Sequence, residues 1–332
     1  MRLIKAHLDL DIRCNYNCIY CQNDSVKKDS TPWFLETNLE KILPVLSRSC
    51  WNVFLSCGGE PLMHPRFAEA LEVADRNLKN CDVTLVTNGL LLTKQNRAAI
   101  LKSCITRINI SIHTLEPDIY GRLYNCSPEN VQTVKENVEA LARERGNRAW
   151  PKIMITSIAM KSTIDKIPNI ARWVSDTRID GMRIEMLQPY DTQGMEAEVI
   201  SASDPAVYGS LAESAGILGS KRRVFEWPVS YGLRKLVSVF DGARLVRHTL
   251  EYYASFFQKL FRNKALGYCR IAGNSVRIDR YGNVKLCLRN VIDLPNLLEQ
   301  PHVDLRWVIA DALKRINTKT NKECLDGCPY RP

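Results

Sequence analysis

Apolar and polar positions alternate with period two over residues 3–12, placing Leu8, Leu10 and Ile12 on one face, and this predicts a strand. The chain then switches between two periods. Period-two runs at 51–56, 83–87, 107–113, 152–160 and 181–187 predict five further strands. Stretches with helical spacing lie between them, at about 39–46, 65–76, 94–102, 128–144 and 165–174. Ser127 stands where an N-cap of the 128–144 helix belongs, with Pro128 at its first turn. Six alternating units imply parallel strands with helices on one face, in a curved or incompletely closed barrel. In such sheets the loops after the C-terminal strand ends gather around one mouth.

The regular pattern lapses after 187. Glycines and prolines scattered through 188–232 predict loops with short helices. Apolar residues from Leu233 to Phe261 then recur at spacings of three and four, an amphipathic helix interrupted by Gly242. Alternation on both sides of an Arg280–Asn283 turn predicts a hairpin over 275–287, and a helix follows at about 304–315. Three regions result: 1–190, 191–266 and 267–332.

The polar turns carry the chemistry. The first strand runs into Cys14-Asn-Tyr-Asn-Cys18-Ile-Tyr20-Cys21, a C-x3-C-x2-C array whose three sulfurs can face one metal centre. Thiolates are the usual protein ligands of iron–sulfur clusters, and three of them leave one iron of a cubane open. A zinc knuckle completed from elsewhere is the alternative, although zinc sites more often pair C-x2-C units. Near the end of the chain Cys269, Cys287, Cys324 and Cys328 form a second set, enough to ligate a whole cluster or a structural zinc. Twelve cysteines without a secretion signal point to metal ligation in a reducing, cytoplasmic compartment rather than to a disulfide framework. No run of 18 apolar residues predicts a membrane span.

The net charge is +10, and residues 221–264 hold ten Lys or Arg against three acids, a local balance of +7. That excess suits an anionic substrate, a peripheral membrane surface or simply a solvated helix face. A zinc protein binding nucleic acid through it is disfavoured by the six-unit sheet.

The cysteine array, the aromatic Tyr20 before its last member and the Gly58-Gly59-Glu60-Pro61 turn ending the second strand together resemble the radical S-adenosylmethionine (SAM) enzymes. The resemblance implies an α/β fold, a partial (β/α)6 barrel followed by a small β-hairpin/α auxiliary iron–sulfur domain of the SPASM/twitch type. It implies a [4Fe–4S] cluster on Cys14, Cys18 and Cys21 whose open iron is chelated by the amino and carboxylate groups of SAM. The Gly58–Pro61 turn would receive the SAM amino group. Tyr20 would lie near adenine, and Asn88 and Ser111 near the ribose and the methionine carboxylate. Thr156 and Leu187 would line the wall, and Lys161 or Arg122 would pair with the SAM carboxylate. The tail cysteines are similar to the four-ligand, one-cluster twitch form and unlike a three-cysteine site whose open iron binds substrate.

In this family an electron from the cluster splits SAM, and the 5′-deoxyadenosyl radical removes a hydrogen atom from substrate. An auxiliary [4Fe–4S] cluster could then take up the substrate-radical electron in a net two-electron oxidation. Redox-neutral epimerisation is the rival, with a thiol returning the hydrogen atom: Cys126 after the fourth strand, or less favourably Cys57. Peptide maturation is a third outcome, disfavoured by the absence of a leader-binding module ahead of the first strand. The implied partners are a small-molecule or peptide substrate and a one-electron reductant such as flavodoxin or ferredoxin.

Overall fold

The computed structural model describes residues 4–21, 33–56, 58–187, 195–201, 204–226, 275–286 and 294–317. The 233–261 stripe, Cys57 and all four tail cysteines lie outside the described residues.

Each predicted strand forms. β1 (Ile4–Leu8), β2 (Cys50–Leu55), β3 (Asp82–Thr87), β4 (Arg107–Ser111), β5 (Lys152–Ala159) and β6 (Gly181–Met186) pair in sequence order and in parallel. Between them lie α1 (Glu36–Ser49), α2 (Phe67–Asn77), α3 (Lys94–Lys102), α4 (Pro117–Tyr124), α5 (Asn130–Arg145) and α6 (Ile167–Asp176). Alternation sorts the two faces of the sheet. Ala6, Leu8, Val53, Leu55, Val83, Leu85, Ile108, Ile110, Ile153 and Ile155 are buried in one cluster with helix residues such as Leu39, Ile42, Ala70, Ile100, Val134 and Ile170. The intervening positions, among them His7, Asp9, Thr84, Asn109 and Thr156, point to the other face and are largely polar.

The sheet is larger than six strands. After β6 come α7 (Pro205–Ser220) and β7 (Val224–Glu226), and near the chain's end come β8 (Ser275–Ile278), β9 (Val284–Lys285) and α8 (Leu305–Asn317). The open sheet has nine strands in the order β7-β6-β5-β4-β3-β2-β1-β8-β9. The predicted hairpin is present and continues this sheet, because β8 pairs in parallel with β1. β7 approaches β6 so closely that a Cβ on Gly181 would lie 2.2 Å from the Val224 carbonyl oxygen. The strand therefore requires glycine there.

Three local expectations are corrected. α7 is a 16-residue helix where loops were expected. Gly209, Gly216 and Gly219 have nothing within 4 Å of an added Cβ, so these glycines weaken the helix without serving a turn. It forms nonetheless, because Asp204 caps it through the Ala206 N–H at 2.9 Å and its buried Val207, Leu211, Ala215 and Leu218 face the core. α5 begins at Asn130 rather than at Pro128, and Ser127 does not cap it: its hydroxyl is taken by the Glu129 carboxylate. α4 was not expected at all. Its central Gly121 sits where a Cβ would stand 2.9 Å from the Pro128 ring, and Asn125 ends it in the left-handed region at φ 47°.

Among the described residues no helix is long and apolar enough to cross a membrane.

Candidate cluster and cofactor site

Three loops at the C-terminal ends of β1, β2 and β3 meet at one point. The first contains Asp9, Asp11 and Arg13 and leads into the cysteines. Asp11 is fully buried, and Arg13 grips it with its backbone N–H at 2.9 Å and its guanidinium at 3.0 and 2.6 Å. A further Arg13 bond reaches the Met63 carbonyl at 2.9 Å, tying this loop to the segment after β2. The glycine turn packs directly against it. A Cβ on Gly59 would lie 2.1 Å from the Asp11 carbonyl oxygen and 2.7 Å from Ile12 Cα, so only glycine fits. The Gly58 N–H donates to Asp9 Oδ1 at 2.7 Å, and the Glu60 N–H to the Arg13 carbonyl at 2.7 Å.

Glu60 joins the second loop to the third. Its carboxylate is buried and accepts from Thr87 Oγ1 at 2.6 Å, the Asn88 N–H at 2.8 Å and the Leu62 N–H at 3.2 Å. Burial outweighs these donors and holds the group up at about 7. Asn88 in turn reaches the cysteine loop, with Nδ2 2.7 Å from Asn15 Oδ1 and 3.8 Å from Cys14 Sγ. In the turn after β3, Gly89 adopts φ 83°, and a Cβ there would stand 3.1 Å from side-chain atoms of Ile110 and Val134.

The cysteine loop is also held from a side that sequence reasoning missed. The last carbonyls of a helix lack intrahelical partners. Those of Leu123 and Tyr124, at the end of α4, accept the Ile19 N–H at 3.0 Å and the Asn17 N–H at 3.3 Å. Beneath the loop, Tyr16, Tyr20, His113, Tyr120 and Tyr124 form an aromatic cluster. Tyr120 and Tyr124 stack at 4.2 Å, His113 and Tyr124 at 5.3 Å, and Tyr20 tilts against His113 at 5.0 Å. The Tyr124 hydroxyl donates to the Ser111 carbonyl at 3.0 Å. The Tyr-x3-Tyr spacing of residues 120 and 124 is the signal that could have revealed this helix face.

Cys14 and Cys21 are exposed and Cys18 is half-buried. Burial raises the Cys14 thiol above its ordinary value and pushes the Cys18 thiol up to about 12 against a hydrogen bond with Tyr20. These two thiols resist ionisation without a cation, and a coordinated metal removes that penalty. Among the described residues no three His, Cys, Asp or Glu side chains converge to hold a single metal ion. A cubane offers each thiolate a different iron, so its ligands stand farther apart than those of one ion. On the wall beside the loop, Ser111 and Thr156 are register partners, and Thr156 Oγ1 is buried without a hydrogen-bond partner among the described residues. A buried hydroxyl without a partner is an unmet polar group on this wall. The three-thiol donor set suits an iron–sulfur cluster.

Of the other named positions, Leu187 and Cys126 join the aromatic cluster, whereas Arg122 and Lys161 do not. Leu187 is buried with the aromatic cluster. Cys126 is half-buried at the same cluster's edge, its thiol donating to the Ser127 carbonyl at 3.5 Å. Arg122 pairs with Glu198 at 3.6 Å, while Lys161 is exposed.

Residues 12–174 match the family model described as the Radical SAM superfamily. This segment is a radical SAM domain. A protein named probable GTP 3′,8-cyclase from Methanococcus aeolicus is 28% identical over 219 residues, 61% of this chain and 69% of that protein. Another from Methanothermobacter thermautotrophicus is 32% identical over 36% of this chain and 38% of its own length. The GTP 3′,8-cyclase of Shewanella denitrificans is 27% identical over 54% and 52%. In the last two cases the chain spans about half or less of the relative. The fold is similar to that of Streptococcus suis SuiB, crystallised with S-adenosylmethionine, at a TM-score of 0.69 and 15% identity, covering 97% of this chain and 70% of SuiB. The family implies a [4Fe–4S] cluster and SAM. The match begins at residue 12, just before the cysteine loop, and takes in the cysteines, the glycine turn and Asn88.

Two measurements test this geometry. In Glu60→Gln an amide N–H must face at least one of the three donors that now point at a carboxylate oxygen. The variant is expected to lose about 2 kcal/mol of stability in urea unfolding, and an unchanged midpoint and slope would contradict the arrangement. His113 is buried, its Nδ1 accepts the Ile158 N–H at 3.2 Å, and burial pulls its pKa down to about 3. The unfolded ring takes a proton below its ordinary 6.5 while the folded ring does not, so stability is fully present above that value and falls as pH drops toward 3. At pH 5 the expected loss relative to neutral pH is about 2 kcal/mol from this ring. His113→Gln should flatten the profile by that amount, and an unaltered profile would place the titration elsewhere.

Proposed function

We propose that the chain is a radical SAM enzyme that binds its cluster through Cys14, Cys18 and Cys21 and its SAM between the Gly58–Pro61 turn, Asn88, Ser111 and Thr156. The observation that carries this is the meeting of the three loops, with Gly59 against Asp11 and Glu60 spanning to Thr87 and Asn88. The cluster and SAM supply a carbon-centred radical when bound. The chain's own residues fix the thiols, orient the cofactor and line the space where substrate meets it. Tyr20 and Leu187 contribute the apolar side of that space, and Cys126 is a thiol at its rim. An external one-electron reductant such as flavodoxin or ferredoxin is required.

The finer reading is hydrogen abstraction followed by two-electron oxidation, with Cys269, Cys287, Cys324 and Cys328 holding an auxiliary [4Fe–4S] cluster. Four thiolates suffice for a fully ligated cluster, which suits electron transfer rather than substrate binding. Cyclisation of a purine nucleotide is the second reading, favoured by the relatives named GTP 3′,8-cyclase.

Iron and sulfide counting after anaerobic reconstitution separates these. About eight irons per chain, falling to about four in a Cys14, Cys18, Cys21 triple-alanine variant, is the expected result. About four irons in the wild type with zinc in the tail would remove the electron acceptor and with it the oxidation reading. Incubation with GTP is expected to release no more 5′-deoxyadenosine than a blank. GTP-dependent release with loss of GTP would establish the cyclisation instead.

A further inference from the structure

Asp9, just after β1, joins two distant parts of the chain. It is 4% exposed, and its carboxylate oxygens face different partners. Oδ1 accepts the Gly58 N–H at 2.7 Å. Oδ2 accepts from Arg277 in β8, from Nε at 3.1 Å and from Nη2 at 2.5 Å. The backbone sets up this pairing, because β8 lies in parallel against β1 with His7 as the register partner of Arg277. His7 supplies no charge to Asp9. Burial pulls its pKa down to about 4, so the ring is neutral at neutral pH.

A buried carboxylate stripped of its counter-charge is strongly disfavoured, and Arg277 supplies that charge through two N–H donors. Without it, the Asp9 carboxylate takes a proton or turns toward water, and in either form it is a less directed acceptor for the Gly58 N–H. Gly58 opens the turn read above as the seat of the SAM amino group. We propose that Arg277 is a positioning residue for SAM: acting through Asp9 it fixes the Gly58–Pro61 turn, so docking of the C-terminal hairpin on β1 completes the cofactor site. The inference rests on the radical SAM reading of that turn.

The test is the Kd of SAM for the anaerobically reconstituted full-length protein, measured by equilibrium dialysis without reductant so that SAM stays intact. Arg277→Gln removes the charge and is expected to weaken binding roughly tenfold at unchanged iron content, as when a group that orients a ligand contact is lost. Arg277→Lys is expected to recover part of that loss by restoring the charge. Arg48→Ala removes a different contact with the C-terminal segment, the Arg48 Nη2 bond to the Pro301 carbonyl at 3.0 Å, and is expected to leave the Kd unchanged. An unchanged Kd in Arg277→Gln would overturn the proposal, as would no recovery in Arg277→Lys. An equal loss in Arg48→Ala would also overturn it, by making Arg277 one of several contacts that merely hold the C-terminal segment in place. Should Arg277→Gln load no cluster, the isosteric Asp9→Asn decides, because its amide must present N–H to one of the two donors. Weaker SAM binding in that variant supports the proposal and an unchanged Kd overturns it. A wild type that loads its cluster and binds no SAM would instead count against the radical SAM reading.

Discussion

The site depends on a backbone contact that leaves no room for a side chain. Gly59 lies against the Asp11 carbonyl and Ile12, and that approach sets the distance between the end of β1 and the turn after β2. Asp9, Asp11 and Arg13 hold the first partner in place, and Glu60 extends the contact sideways to Thr87 and Asn88. A parallel sheet delivers three loops to one edge but leaves their mutual spacing undetermined. Here the spacing is fixed by one steric contact and one buried carboxylate with three donors. The cysteine loop inherits its position from them.

The opposite side of the loop is held by different physics. α4 ends with carbonyls that need donors, and the cysteine loop provides two. Its tyrosines stack under the loop and against His113, so the loop rests on a rigid aromatic floor while polar contacts brace it from the side. The loop is thus constrained along its length, with the Cys14 and Cys21 thiols exposed. A redox site gains from such rigidity, because the groups around its metal need not rearrange when an electron arrives.

The six central strands were legible in the sequence because each alternates cleanly between a helix-facing and a polar face. The glycine turn and Asn88 were legible because their places at strand ends put them at one mouth. Other features lacked a local signal. α7 buries Val207, Leu211, Ala215 and Leu218 at helical spacing, but the glycines scattered through it read as loop and hid that pattern. α4 is eight residues long and contains a glycine needed for contact with Pro128. The pairing of β8 with β1 joins residues some 270 positions apart, and no short-range pattern encodes it. Arg277, which grips Asp9 from β8 at 2.5 Å, was unreadable for the same reason. The Glu60 carboxylate also accepts from Leu62, Thr87 and Asn88 and so braces the neighbouring turns, a role that the Gly58–Pro61 motif does not encode locally.

The central claim is that the Cys14, Cys18 and Cys21 loop, seated by Gly59 and Glu60, holds a redox-active cluster that cleaves SAM. The most direct measurement is the yield of 5′-deoxyadenosine and methionine when the anaerobically reconstituted protein is given SAM and dithionite without any substrate. The account predicts both products in equal amounts from the wild type and neither from the triple-alanine variant. A colourless, zinc-bearing wild type that leaves SAM intact would contradict it.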